Sequence, residues 1–101
     1  PMNPSARHLY VVSYDICDPK RWRKVYRVLL GRGDHIQLSV FLCPLNPREL
    51  VEIQSRLDEA ILHGVDQILF VNLGPPSGRA RTAISALGRP FHISDARAVV
   101  V

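Results

Sequence analysis

One stretch decides the fold: His8-Leu-Tyr-Val-Val-Ser-Tyr-Asp15-Ile-Cys-Asp18-Pro-Lys-Arg-Trp22, continued by a basic helical pattern that stops at Gly31. Residues 8 to 14 are rich in β-branched and aromatic types and end at Asp15, which predicts a central strand presenting a carboxylate at its end. Asp18 followed by Pro19 is an N-cap with proline at the first helical position, and Trp22, Val25, Tyr26 and Leu29 then recur at helical spacing. A strand therefore hands over to a helix with almost no loop between them.

Downstream, residues 35 to 43 alternate, with Ile36, Leu38, Val40 and Leu42 on one face and Gln37, Ser39 and Phe41 on the other. This is either one long strand or a short pair folded tightly. Asn46-Pro47-Arg48-Glu49 spells a capping box, and Leu50, Ile53, Leu57 and Ile61 continue it as a second helix up to Gly64. Residues 66 to 73 read as another strand, broken by Gly74-Pro75-Pro76-Ser77-Gly78. Beyond it a helical turn is expected within residues 79 to 88, a short extended piece at 90 to 94, and an edge strand in Ala98-Val-Val-Val101.

This order predicts an α+β fold, a ferredoxin-like βαββαβ sandwich with both helices on one face of an antiparallel sheet and an additional C-terminal strand. Residues 1 to 7 read as a flexible end, 8 to 89 as the domain, and 90 to 101 as an extension whose edge strand pairs with a partner subunit. Phe41 and its neighbours are placed on the sheet face without helices, so a homodimer is expected to cover that face.

With 101 residues, the chain suits one domain and excludes a multidomain enzyme. At 47% hydrophobic and 22% charged residues it can bury a core. No apolar run approaches the roughly 18 residues of a membrane span, so no membrane partner and a cytoplasmic location are expected. Cys17 and Cys43 lack metal or disulfide spacing and read as buried thiols. The four histidines, His8, His35, His63 and His92, share no ligand spacing and read as structural, His35 also standing at the rim of a site.

Charge is more informative. The 13 basic residues exceed the 9 acidic ones by 4, and 11 of the 13 are arginine, whose planar fork suits phosphate. Lys20, Arg21, Arg23, Lys24 and Arg27 lie on the first helix, with no acidic residue between Asp18 and Asp34 to neutralise them. They form the expected nucleic-acid contact, with Arg79 and Arg81 as a second one. Asp15 ends a buried strand, where a carboxylate is costly unless paired or metal-bound; it either holds a metal, caps the turn or pairs with an arginine. Asp18 reads first as the N-cap and otherwise as support for a metal, and Ser39 and Phe41 as further neighbours of the site.

The run Leu9-Tyr-Val-Val-Ser-Tyr-Asp15-Ile-Cys-Asp18, then Arg21, Arg23 and Val25, then Gly33 and Gln37-Leu-Ser39-Val40-Phe41, resembles the CRISPR-associated Cas-two family. The resemblance covers roughly residues 8 to 89, its specific motifs falling within 9 to 41. It implies a ferredoxin-like homodimer of CRISPR adaptation that meets the integrase subunit, and a magnesium-dependent endonuclease acting on single-stranded RNA or duplex DNA. Other divalent metals would also serve. It carries the catalytic and metal-binding role to Asp15, acting with its symmetry mate. His35 departs from the arginine some members have there. Two other functions stand beside this one: a DNA-binding scaffold of the adaptation complex in which cleavage is weak or dispensable, and a ferredoxin-like regulatory or ligand-binding domain. The latter would need a glycine-rich ligand loop, for which residues 74 to 78 are poor.

Overall fold

A computed structural model describes residues 5–93. The elements run β1 (His8–Asp15), α1 (Pro19–Leu30), β2 (Asp34–Gln37), β3 (Val40–Leu45), α2 (Pro47–Ala60), β4 (Gln67–Asn72) and α3 (Arg79–Thr82). The strands form one antiparallel sheet in the order β2-β3-β1-β4, the expected βαββαβ sandwich. The edge strand expected at Ala98–Val101 lies outside the described residues, and residues 90–93 form no strand. No helix among the described residues is long and apolar enough to cross a membrane.

Both long helices start as their sequences dictate. Asp18 accepts the Arg21 backbone N–H at 2.9 Å, with Pro19 at N1, where its missing N–H costs nothing. Asn46 and Glu49 form the reciprocal capping box, at 2.7 and 2.9 Å. After α1 the chain turns tightly against β3. A Cβ on Gly33 would meet the Leu42 carbonyl oxygen and the Cys43 sulfur, so only glycine fits.

The main core lies between the sheet and the helices, from Val12, Tyr14, Val25, Leu29, Phe41, Cys43, Leu45, Ile53 and Leu57. Trp22, Tyr26 and Phe70 pack at its margin, half-buried. Phe41 is fully buried here, against the expectation that it sits on the opposite face. It stacks on His35 at 4.8 Å and touches Tyr14 and Tyr26. The aliphatic residues Ile36, Val40 and Leu42 look the other way, where Leu9, Leu42 and Ala80 form a second buried cluster with Val11, Leu73, Ile84 and Ile93 around it. The sheet is thus apolar on both sides, and alternation alone does not say which side meets the helices.

Residues 35 to 43 prove to be a tight hairpin turning at Leu38 and Ser39, with a bulge between His35 and Gln37. Two-residue hairpins favour positive φ in the turn, yet no non-glycine residue among those described has positive φ. The bulge supplies the extra twist instead. It leaves Leu38 75% exposed, off the aliphatic row predicted for it. Cys43 is buried as expected, but Cys17 is exposed, because it lies in the short turn between β1 and α1.

Candidate functional site

Asp15 closes β1 and is exposed, so it is spared the desolvation expected at a buried strand end. Its register partner is Gln67, the first residue of β4. One residue earlier, the Tyr14 N–H donates to the Ser39 carbonyl at 3.0 Å, which brings the hairpin turn to the same end of the sheet. Asp15 of β1, Ser39 of the hairpin turn and Gln67 of β4 are therefore brought to one end of the sheet. Among the described residues, nothing donates a hydrogen bond or an ion pair to the Asp15 carboxylate. The cap is Asp18, and the arginine is taken by another acid, so two of the three roles open to Asp15 are already filled.

That other acid is Asp66, just ahead of β4. Arg21 approaches it as a fork, Nε to Oδ2 at 2.6 Å and Nη2 to Oδ1 at 3.2 Å, while the Leu62 N–H donates to Oδ2 at 2.9 Å. The Asp66 side chain is 0% exposed. The Arg21 guanidinium, and then the Leu62 N–H, hold the Asp66 carboxyl below the usual carboxylate range. Nη1 of Arg21 lies 3.8 Å from Asp18. All three guanidinium nitrogens thus face carboxylates, and Arg21 does not join the free basic face expected of it.

Lys20, Arg23, Lys24 and Arg27 do form that face, exposed and without an acidic partner among the described residues. Lys20 stands in the first turn of α1, where a cation opposes the dipole by about 0.3–1 kcal/mol. Lys24 and Arg27 also line a shallow groove of about 280 Å³ with Arg56 and Glu59 of α2. Arg56 joins the basic surface only through helix packing, so no local signal in the sequence marks it. Arg32 is drawn away to Glu49 and Glu52. Arg79 and Arg81 lie on α3, on the other face of the sheet, apart from the α1 stripe.

The remaining candidates divide. Ser39 is beside Asp15, but Phe41 is buried in the core. His35 is a strut of the hairpin, its Nε2 3.2 Å from the Leu38 carbonyl and its ring between Phe41 and Tyr26. His8 meets Asn72 and His63 meets Asp58. No group of three or more His, Cys, Asp or Glu side chains among the described residues is placed to hold a metal. A single free carboxylate still fits a hard cation that takes one or two protein oxygens and completes its shell with water and phosphate.

The family model for CRISPR associated protein Cas2 matches residues 8–79, from the start of β1 to the start of α3. The chain belongs to the Cas2 family. A Cas2 of Rhodospirillum rubrum, described as a CRISPR-associated endoribonuclease, is 38% identical over 97 residues, covering 96% of this chain and 94% of its own. One of Geobacter sulfurreducens with the same description is 35% identical over 94 residues, covering 93% and 98%. Among solved structures, Streptococcus pyogenes Cas2 superposes with a TM-score of 0.71 at 33% identity, over 79% of this chain and 99% of that one. A hypothetical protein from Thermus thermophilus gives 0.73 at 30% identity, over 88% and 100%. The Cas2 match takes in Asp15, Ser39, Asp66 and the whole α1 stripe. It stops where the chain begins to cover the second face of the sheet.

Proposed function

We propose that this Cas2 chain is a divalent-metal-dependent endonuclease of CRISPR adaptation, working as a homodimer with Asp15 as the metal-holding carboxylate of each copy. One observation carries the reading: a solvent-facing carboxylate without a partner among the described residues, at the end of the central strand. It stands in a chain whose relatives are described as CRISPR-associated endoribonucleases. One Asp15 from each of two copies suits magnesium, which takes one or two protein carboxylates. When bound there, the ion polarises a phosphoryl oxygen and lowers the pKa of the attacking water. Lys20, Arg23, Lys24 and Arg27 hold the phosphate backbone, and the Ser39 hydroxyl serves as a donor beside Asp15. Leu69 and Val71, 52% and 50% exposed on β4, support the dimer by offering apolar surface for a second copy. In spacer insertion the dimer meets the integrase subunit.

A second reading has its own support. The uncompensated charge of α1 needs no metal to hold nucleic acid, so the dimer also serves as a scaffold for spacer DNA. Asp15→Asn separates the two. Metal-dependent cleavage of single-stranded RNA and duplex DNA is expected to fall by about a hundredfold or more, with the thermal midpoint unchanged. Cleavage at the wild-type rate would remove Asp15 from the site. Loss of cleavage with spacer integration intact would make the scaffold the working role.

A further inference from the structure

The fork between Arg21 and Asp66 spans 45 residues of sequence and lies directly beside the proposed site. Asp15 is set by two constraints. On one side it is in register with Gln67, the residue after Asp66. On the other, only Ile16, Cys17 and Asp18 separate it from α1. Arg21 sits in the first turn of α1, so its fork to Asp66 closes a loop of contacts around Asp15: β1 to β4 by register, β4 to α1 by the ion pair, α1 to β1 by the short turn. The Leu62 N–H donating to the same carboxylate fixes the approach to β4 as well.

The helix does not need this contact in order to begin, because Asp18 already caps it. An ion pair whose acid is buried also tends to add little net stability over an apolar pair of the same shape, and here it joins two elements through a two-point fork. Resting on the reading of Asp15 given above, we infer that Arg21 and Asp66 are positioning residues: together they fix the direction in which Asp15 leaves the sheet. Arg21 therefore acts through Asp15, and not by touching phosphate.

The full chain carrying Arg21→Lys, Arg21→Gln or Asp66→Asn tests this, with Arg23→Gln as the reference. Lysine keeps the cation and removes the fork, so it remains informative if Asp66→Asn fails to fold. Hydrogen exchange is expected to quicken by about tenfold or more at Trp22 and Asp66, whose N–H groups donate to the Asp18 and Leu62 carbonyls beside the ion pair, with residues 45–49 at the far end of the sheet unchanged. Manganese binding, followed by titration, should weaken by about tenfold, as when a residue supporting a metal ligand is lost. Cleavage should lose kcat by at least about tenfold with KM and salt dependence kept, Arg21→Lys retaining more than Arg21→Gln. Arg23→Gln should instead flatten the salt dependence of binding. Unchanged exchange at Trp22 and Asp66 would overturn the inference, as would an Arg21 variant that flattens the salt slope as Arg23→Gln does. If the wild type neither binds manganese nor cuts, the metal reading of Asp15 fails, and the inference falls with it even where exchange shows the turn to be held.

Discussion

The two long helices share a grammar and differ in what they do with charge. Each opens on a capping side chain followed by proline, and each buries two residues, Val25 and Leu29 in α1, Ile53 and Leu57 in α2. In α2 nearly every acid is taken. Glu49 belongs to the capping box and receives the Arg7 fork at 2.9 Å through each oxygen, with Arg32 at 3.5 Å. Glu52 meets Arg32 and Arg48, and Asp58 meets His63. By contrast, among the described residues α1 turns one arginine inward to Asp66 and leaves four cations bare, Lys20 among them against its own dipole. A helix that spends its charges on neighbouring segments is scaffolding; one that keeps them exposed at a local cost is presenting them to something outside the fold.

Removing the bare charge should give the largest effect. Replacing Lys20, Arg23, Lys24 and Arg27 together by glutamine is expected to weaken binding of single-stranded RNA by about a hundredfold at low salt, and to flatten the slope of log affinity against log salt by up to about 3. Arg48→Gln on α2 should leave the slope where it was, and equal slopes would erase the distinction between the helices.

The caps come next. Asn46→Ala and Asp18→Ala should each cost about 1 kcal/mol, which in a domain of this size lowers the thermal midpoint by about 4–8 °C. Asn46→Ala should cost more, since Glu49 loses its reciprocal partner. Lys20→Glu is a smaller and sharper case. It should stabilise α1 by about 0.3–1 kcal/mol, read by denaturant unfolding, while weakening nucleic-acid binding, so that stability and binding move in opposite directions.

The response to pH is the gentlest. Arg7, and then the Asn46 backbone N–H, hold the Glu49 carboxyl below its ordinary value of 4.5. Its contribution to stability is therefore present above that pH and lost as pH falls through the lower folded value. Arg7→Gln should shrink this acid limb in denaturant midpoints measured against pH. At the alkaline end, burial first, and then Tyr26, push the Tyr14 hydroxyl from 10.0 up to about 12, so stability held below pH 10 should decline between those values.

Much of this was legible because it is local. The strand ending at Asp15, the Asp18-Pro19 start and the Asn46–Glu49 box are each written within a few residues, and the structure keeps all three. The hairpin was not legible, since Leu38 and Ser39 carry no turn signal and the bulge does the work of a special turn. The face of Phe41 was missed because residues 80 to 93 give the second side of the sheet an apolar cover of its own. Nor does spacing reveal that Arg21 turns inward, because its partner comes from a distant loop.

The strand order carries a consequence in time. Among the described residues only the β2–β3 pair is a local hairpin; β1 meets its outer neighbour β4 across 62 positions, at Tyr10 and Asn72. Such distant pairings close slowly, after the nearby ones. A chain leaving the ribosome therefore holds β1 with one flank open until β4 has been made, and Asp15 gains its sheet neighbour only once Gln67, the first residue of β4, has followed it. The residue proposed to do the chemistry is made before the strand that sets it in place.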